Sequence, residues 1–401
     1  MEKNSFPPNR NSNLLHDLMR DPRLDTVTHH LHKYRLQVIY TKIDRDAQNN
    51  PTFTDYHYNV DTNRYFYPAS TVKLPAALLA LEKLNDMNIK DLDKNTPMYT
   101  AELPGISPAV KFDVTAPGNA PSIGHYIKKI FLVSDNDAFN RLYEFVGQQR
   151  FNEGLWQKGY PGVQIRHRLD VALPPAANAR TNEVYFIKDG KEIYRQPAQE
   201  SHIVFTEKHD LIGLAYYNNK GELMKEPMDF ALKNEINLVD LHSILRSIIF
   251  PGSVTSAQRF RLTDNDYRFL YQYMSQLPTE TSVPKYDTKE FHHAYVKFLL
   301  FGGDSTANIP RGIRIFNKPG WAWGFISDVA YVVDFENKVE FLLSANLYVN
   351  ENGILSGEHY QFDEVGKPFL KALGEIIYEY ELHRTKKYQP DLSRYRVTYD
   401  Q

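Results

Sequence analysis

The feature of this sequence that most restricts its fold is the location of its strand-like segments at the two ends of the chain. Residues 34–43 and 52–60 carry the aromatic and β-branched residues typical of strands, as do residues 313–317, 325–335 and 339–349. The segments between these two groups are mostly helical by pattern. We therefore expect an α/β fold of the α+β type. One antiparallel sheet would be built from the N- and C-terminal segments and flanked by helices, with an all-helical lobe inserted between them.

The spacing of apolar residues predicts the remaining elements. A run at residues 14–34 is helical but broken at Pro22, and the other predicted helices cover residues 71–84, 122–132, 138–146, 238–249, 264–277, 287–300 and 362–383. A strand hairpin is predicted at residues 184–194, with its turn at Asp189 and Gly190. The predicted domains are a sheet domain at residues 1–66 and 310–401, and a mainly helical domain at residues 67–309 with an insertion near residues 183–240.

The composition excludes several kinds of site and partner. The 47 basic and 49 acidic residues give a net charge of -2, so no overall field attracts nucleic acid. Cysteine is absent, which excludes disulfides, thiolate metal sites and a cysteine nucleophile. No apolar stretch is long enough to predict an integral membrane segment, and residues 1–10 lack the apolar core of an export signal. We predict no metal and no cofactor, because the spacing of metal ligands is missing from the clustered histidines His29, His30, His32, His292 and His293.

Ser70 and Lys73 are the first candidates for chemistry. They lie at the start of the helix predicted at residues 71–84, and a spacing of three places both side chains on one helix face. A serine hydroxyl becomes a nucleophile when a neighbouring base removes its proton, and a lysine is such a base where burial or positive neighbours keep it neutral. The S-x-x-K motif alone is weak evidence, because about one copy is expected by chance at this length and a capping serine before a surface lysine looks the same.

Two further motifs follow along the chain. Residues 134–136, Ser-Asp-Asn, lie between two predicted helices, where the simpler interpretation is a helix N-cap. Residues 318–320, Lys-Pro-Gly, follow the strand predicted at residues 313–317, where the simpler interpretation is an exit from the strand into a turn.

In this order, S-x-x-K, S-D-N and K-x-G resemble the signature of the class A β-lactamases and the penicillin-binding serine hydrolases. The predicted hairpin before Ser70, the helix after it and the terminal strands and helix fall where that fold has them. The resemblance implies a divergent member with a β-lactamase/transpeptidase-like fold. It also implies that Ser70 attacks an acyl carbonyl, that Lys73 helps to remove its proton, and that Ser134 relays a proton to the leaving nitrogen.

The same resemblance implies the residues that bind substrate. Asn136 would bind the amide of the substrate, and Lys318 would supply positive charge for the substrate carboxylate and for the Ser134 hydroxyl. Gly320 completes the third motif, and the backbone amides of Ser70 and Trp321 would form the oxyanion hole. The implied substrate is a small-molecule or peptidoglycan-like amide, and the implied location is periplasmic or exported.

The sequence departs from the family pattern at two places. Pro319 stands between Lys318 and Gly320, where the family usually has threonine or serine, so a hydroxyl for carboxylate recognition is missing. The E-x-x-L-N segment whose glutamate activates the deacylating water is not found between residues 147 and 186, where Asp170 and Glu183 are the candidate carboxylates.

Three functions remain open from the sequence. The first is a β-lactamase-like hydrolase that opens β-lactams or related amides through a Ser70 acyl-enzyme. The second is a peptidoglycan D,D-peptidase, transpeptidase or esterase of the penicillin-binding type. The third is a binding protein that keeps the fold without turnover. Trp321 and Trp323 flank the predicted oxyanion strand. Two interpretations remain open: one of them lines the pocket, or both pack in the core. The sequence indicates neither the natural substrate nor the oligomeric state.

Overall fold

The computed structural model describes residues 13–357 and 359–399. Residues 1–10, on which the prediction about an export signal depends, lie outside this part of the chain. The described helices are α1 (Asn13–Leu18), α2 (Asp25–Thr28), α3 (Leu31–Tyr34), α4 (Lys73–Met87), α5 (Ile123–Leu132), α6 (Asn136–Val146), α7 (Gln148–Gln157), α8 (Pro175–Ala179), α9 (Leu238–Ile249), α10 (Asp264–Ser275) and α11 (Lys367–His383). None of these helices has the length and apolar character needed to cross a membrane.

The strands form one large sheet and several small ones. They are β1 (Gln37–Arg45), β2 (Pro51–Tyr58), β3 (Met98–Thr100), β4 (Arg180–Thr181), β5 (Val184–Lys188), β6 (Lys191–Gln196), β7 (Gln199–Glu200), β8 (Leu211–Ile212), β9 (Ala215–Tyr217), β10 (Leu223–Met224), β11 (Met228–Asp229), β12 (Ile313–Ala322), β13 (Phe325–Asp334), β14 (Val339–Tyr348) and β15 (Ile354–Leu355). The large sheet is antiparallel, in the order β12-β13-β14-β1-β2. Because β1 pairs with β14, the two ends of the chain share one sheet, which confirms the predicted fold class.

Both faces of the large sheet are buried, because helices cover each of them. Val38 and Tyr40 of β1 pack in one core cluster with residues of α1 and α11. Ile39 and Ile43 point the other way and pack in a second cluster, with residues of α4 and α9. This alternation follows from the two-residue period of a strand, and β13 and β14 are accordingly buried at every position.

Helix α4 lies at the centre of the helical lobe. Every residue from Lys73 to Leu84 is buried, as expected for a helix that is apolar on most of its surface and is surrounded by others. Its neighbours include α5, α6 and α7. Short strands, β3 to β11, lie in the same part of the chain, and the predicted hairpin is present as β5 and β6. The division into two domains at the predicted boundaries stays a prediction.

The helix predicted at residues 287–300 is wrong. These residues form turns, and the backbone amides of Phe298 and Leu299 donate to Asp328 Oδ2 at 3.2 and 3.1 Å. Lys297 is buried, and its Nζ donates to carbonyl oxygens of Met274 and Ile315. Contacts with the sheet therefore replace the hydrogen bonds that a helix would have made, and the sequence pattern does not reveal such distant partners.

The predicted strand exit at residues 318–320 is also wrong. Strand β12 continues to Ala322, and Lys318 and Gly320 lie opposite Val329 and Ser327 of β13. Pro319 is accommodated because β12 is an edge strand, where a missing N–H need not break a ladder. The lysine and the glycine are therefore carried by a strand and not by a flexible turn.

Candidate active site

Ser70 lies in a tight turn directly before α4. The turn, Ala69–Val72, is a 3-10 helix, and the amide and hydroxyl of Thr71 both donate to Pro68 O, at 3.0 and 2.6 Å. Ala69 has a φ of 45°, a left-handed conformation that is unfavourable for a residue with a Cβ. Ser70 is thus held half-buried at the N-terminal end of a helical segment, where the helix dipole favours developing negative charge.

Lys73 connects the nucleophile candidate to the second motif. Its Nζ donates to Ser70 Oγ at 2.8 Å, to Asn136 Oδ1 at 2.7 Å and to Ser134 Oγ at 3.2 Å. It also donates to the backbone carbonyl of Ser134. The side chain is fully buried. The sequence spacing predicted the proximity of Ser70 and Lys73, and the fold adds the first and third residues of the S-D-N motif.

The S-D-N motif forms the connection between α5 and α6. Asp135 is the N-cap of α6, since its Oδ1 accepts the amide of Ala138 at 2.7 Å, and its other oxygen lies 3.2 Å from Lys129 Nζ. Ser134 has a φ of 61°, in the left-handed region. The capping interpretation therefore holds for Asp135 alone, because the side chains of Ser134 and Asn136 both contact Lys73.

Lys318 approaches Ser134 from the sheet. Its Nζ donates to Ser134 Oγ at 2.9 Å and to Pro319 O at 2.9 Å, and its side chain is fully buried. Ser134 Oγ therefore lies between two lysine amines, one from the central helix and one from the edge strand. Residues 134 and 318 are 184 positions apart in the chain, and no local pattern brings them together.

Gly320 allows β12 to lie directly against the Ser70 turn. A Cβ at this position would lie 2.7 Å from Pro68 O and 2.8 Å from the amide nitrogens of Ser70 and Thr71. Only glycine fits this approach without moving the turn. The side chain of Trp321 lies on the other face of the sheet, with its ring centroid 5.1 Å from that of Phe298. Its backbone amide stays a predicted oxyanion donor.

Burial controls the charge of the two lysines. Desolvation lowers the pKa of Lys73 from 10.5 to about 7, although the carboxylates of Asp135 and Asp170 oppose this shift. Burial and, next, the nearby charge of Lys73 lower the pKa of Lys318 well below its usual range. A neutral Lys73 close to neutral pH is able to accept a proton from Ser70, which an ordinary surface lysine is not.

A buried polar cluster behind Lys318 was missed from the sequence. Asn317 donates to both oxygens of Asp328, at 2.9 and 3.0 Å, and accepts from Lys297 Nζ at 2.7 Å. Burial raises the pKa of Asp328 to about 6 and lowers that of Lys297 to about 7. The cluster fixes β12 immediately before Lys318. Its sequence signal was Asn317, a polar residue in the strand directly before Lys318.

The two candidate carboxylates for deacylation lie in different places. Glu183 pairs with Arg195 on the hairpin formed by β5 and β6. Asp170 is exposed, and its carboxylate is near enough to Lys73 to oppose the lowering of that pKa. Of the two, only Asp170 lies near the predicted nucleophile and base.

The loop that carries Asp170 keeps part of the missing family motif. Residues 166–170 read Arg-His-Arg-Leu-Asp, which can be compared with the pattern E-x-x-L-N. Leu169 matches the leucine, Asp170 stands in place of the asparagine, and Arg166 stands in place of the glutamate. Leu169 is anchored, because its amide and carbonyl both bond to the side chain of Asn140, at 2.9 Å each. Arg166 instead donates to Gln164 Oε1 at 2.6 Å and Thr206 O at 2.7 Å. A search on the leucine and its neighbour would have found this segment.

The clustered histidines lie in two separate parts of the chain. His29 lies 3.6 Å from Asp25, and the rings of His292 and His293 meet edge to face at 6.2 Å between centroids. Within residues 13–357 and 359–399, no group of three or more His, Asp or Glu side chains is arranged to hold a metal ion.

Comparison with known proteins adds a family match to this geometry. A sequence model described as the Beta-lactamase enzyme family matches residues 33–204. This range includes Ser70, Lys73, Ser134 and Asn136, whereas Lys318 and the residues after it lie outside. No curated protein matches the sequence.

Solved structures similar to this chain have low sequence identity. A β-lactamase from Sphaerobacter thermophilus DSM 20745 is 11% identical with a TM-score of 0.47, over 88% of this chain and 94% of that one. A β-lactamase from Xanthomonas campestris pv. campestris is 16% identical with a TM-score of 0.46, over 86% and 92%. A structure of PBP-A is 14% identical with a TM-score of 0.49, over 94% and 100%. Identities this low do not transfer an activity.

The family match covers the first two motifs, S-x-x-K and S-D-N, and leaves the third motif outside. The predicted resemblance is confirmed: residues 33–204 of this chain, with Ser70, Lys73, Ser134 and Asn136, resemble the β-lactamase enzyme family.

Proposed function

We propose that this protein is a serine hydrolase that opens β-lactams or related amides through an acyl-enzyme on Ser70. The observation that carries the proposal is the continuous contact Ser70–Lys73–Ser134–Lys318, with donor–acceptor distances of 2.8, 3.2 and 2.9 Å. A nucleophile, a base and a proton donor for the leaving group are the parts that acyl transfer requires.

The proposed reaction begins with neutral Lys73. Its Nζ takes the proton of Ser70 Oγ while that oxygen bonds to the acyl carbon, and the carbonyl oxygen becomes an oxyanion beside the Ser70 amide. When the intermediate collapses, the bond from carbon to nitrogen breaks. The leaving nitrogen receives the hydroxyl proton of Ser134, which the protonated amine of Lys73 replaces. The product of this half-reaction is the acyl-enzyme. An acyclic amide also releases its amine, whereas in an opened β-lactam the amine stays attached to the acyl group.

A second candidate, an enzyme of the penicillin-binding type, is favoured by the loop at residues 166–170. Arg166 stands where the resemblance expects the glutamate that activates water, and Asp170 is exposed. If water activation is weak, the acyl-enzyme accumulates. The substrate would then be a peptidoglycan-like amide, and a β-lactam would inhibit slowly. A periplasmic or exported location belongs to both candidates, as an implication of the family resemblance.

Intact-protein mass spectrometry after incubation with benzylpenicillin tests the proposal. We expect a mass increase of one penicillin in the wild type and none in Ser70→Ala, because the adduct is on that hydroxyl. Release of ring-opened product without a lasting adduct supports the hydrolase, and a lasting adduct supports the penicillin-binding type. Absence of both adduct and product would contradict the proposal and favour a binding protein.

A further inference from the structure

Strand β12 passes the nucleophile in a defined direction. Gly320 lies directly against the Ser70 turn, with Lys318 two residues before it and Trp323 three residues after it. Strand β12 ends at Ala322, and Trp323 is the first residue of the turn after it, with a φ of 50°. Because the strand runs past the Ser70 turn at Gly320, Lys318 and Trp323 lie on opposite sides of that contact along the chain. Lys318 and Ser134 occupy the side of the leaving group in the proposed reaction. Trp323 therefore lies on the side of the acyl group.

An aromatic wall is built on that side. The Trp323 ring lies 4.6 Å from the ring of Tyr67, which precedes Ser70 by three residues, and 5.5 Å from the ring of Phe230. Tyr67 is buried and stacks on His167 at an interplanar angle of 8°. Trp323 itself is half-buried, so part of its ring remains accessible to a ligand.

Lys233 places an ammonium group over this wall. Its Nζ lies 4.1 Å from the centre of the Trp323 ring. Among the described residues no carboxylate lies within ion-pair distance of this amine, and desolvation alone lowers its pKa. Nearby carboxylates on the same insertion are already paired, Asp229 with His209 and Asp210 with Lys208.

The backbone around Lys233 is held in place. Its amide donates to Phe230 O at 2.9 Å. The side chain of the next residue, Asn234, accepts from the amides of Arg166 and His167, at 2.8 and 3.0 Å, and donates to His167 O at 3.2 Å. The amine therefore sits on a fixed loop. A half-buried, unpaired cation on an aromatic face is a ready partner for an anion.

We propose that Lys233 and Trp323 form a subsite for a carboxylate carried by the acyl half of the substrate. This inference rests on the proposed function, and it names the substrate class: acyl donors with an anionic side chain on the acyl group. On the leaving-group side, Pro319 stands where the resemblance expects a hydroxyl that binds the substrate carboxylate. On the acyl side, Lys233 supplies a cation that can bind a carboxylate.

Three penicillins provide a matched test: benzylpenicillin and its α-carboxy and α-amino derivatives, which differ only in the charge of the acyl side chain. Their dissociation constants are measured in the Ser70→Ala background, where no acylation occurs. We expect the α-carboxy derivative to bind roughly tenfold more tightly than benzylpenicillin and the α-amino derivative more weakly. Lys233→Met should remove this ranking, and Lys233→Glu should invert it.

Lys208→Met is the matched control. This substitution also removes one positive charge from the insertion. Lys208 likewise lies over an aromatic ring, 5.9 Å from the centre of the Tyr65 ring. Its amine, however, is already paired with Asp210 and Glu235. The control should keep the wild-type ranking. If the three penicillins rank in the same order of affinity in the Ser70→Ala protein and in its Lys233→Met and Lys233→Glu variants, the inference is overturned. If the ranking depends on Lys233 while the protein with Ser70 intact forms no adduct or product, the subsite stands and the proposed function fails.

Discussion

Helix α4 carries two buried lysines that differ in what surrounds them. Burial lowers the pKa of both Lys73 and Lys83 to about 7. Lys73 contacts the hydroxyls of Ser70 and Ser134. Lys83, ten residues further along, donates to the carbonyl of Phe145 and the side-chain oxygen of Gln196, and lies 4.7 Å from the Phe145 ring. Burial is the main cause in both cases, and the charge of Arg150 adds to it at Lys83, so a lowered pKa does not by itself mark a catalytic base. Only the neighbouring hydroxyls make one of these lysines a candidate base.

The largest expected difference comes from replacing each lysine by methionine. In Lys73→Met the rate of Ser70 acylation by benzylpenicillin should fall at least roughly 10³-fold, because no base remains beside the hydroxyl. In Lys83→Met that rate should stay within about twofold, while the free energy of unfolding falls by about 1–3 kcal/mol because buried acceptors lose their donor. Stopped-flow acylation and urea unfolding measure the two effects. Equal losses of acylation in both variants would remove the distinction.

A smaller effect is expected at the point where the sheet meets the Ser70 turn. Gly320→Ala puts a Cβ within 2.8 Å of backbone atoms of residues 68, 70 and 71, so the turn must shift. We expect acylation to slow roughly 10²-fold, as for a displacement of about 1 Å in an active site. Gly252→Ala is the control, since a Cβ there meets nothing within 4 Å. Normal acylation by Gly320→Ala would show that the contact of β12 with the turn is unimportant.

The smallest effect is a dependence on pH. Protonated Lys73 cannot accept the Ser70 proton, so the rate of acylation should rise about tenfold per pH unit up to about pH 7 and level off above it.

Lys83 should affect the stability of the protein instead. Its folded pKa is lowered from 10.5 to about 7, so the folded state loses stability as pH falls from about 10.5 to 7 and no more below that. In Lys83→Met the free energy of unfolding should no longer fall over this pH range, while the dependence of the acylation rate on pH should stay as in the wild type. A flat acylation profile would contradict the assigned base.

Local sequence patterns predicted the elements whose hydrogen bonds are local. The spacing of Ser70 and Lys73 within one helical segment brings them together, and helix α9 has the predicted bounds. The hairpin at Asp189 and Gly190 is present for the same reason. The helix predicted at residues 287–300 failed because Asp328, from a strand nearly 30 residues away, takes the backbone amides.

The sequence by itself determined that strands at both ends share a sheet, that Ser70 and Lys73 lie side by side, and that no cysteine takes part. Only the tertiary structure decided that Lys318 reaches Ser134, that Gly320 lies against the Ser70 turn, and that Asp170 rather than Glu183 is near Lys73. The physical reason is the range of the interactions. Periodicity and turn chemistry act within a few residues, whereas these contacts join segments that only the packing of the helical lobe on the sheet brings together.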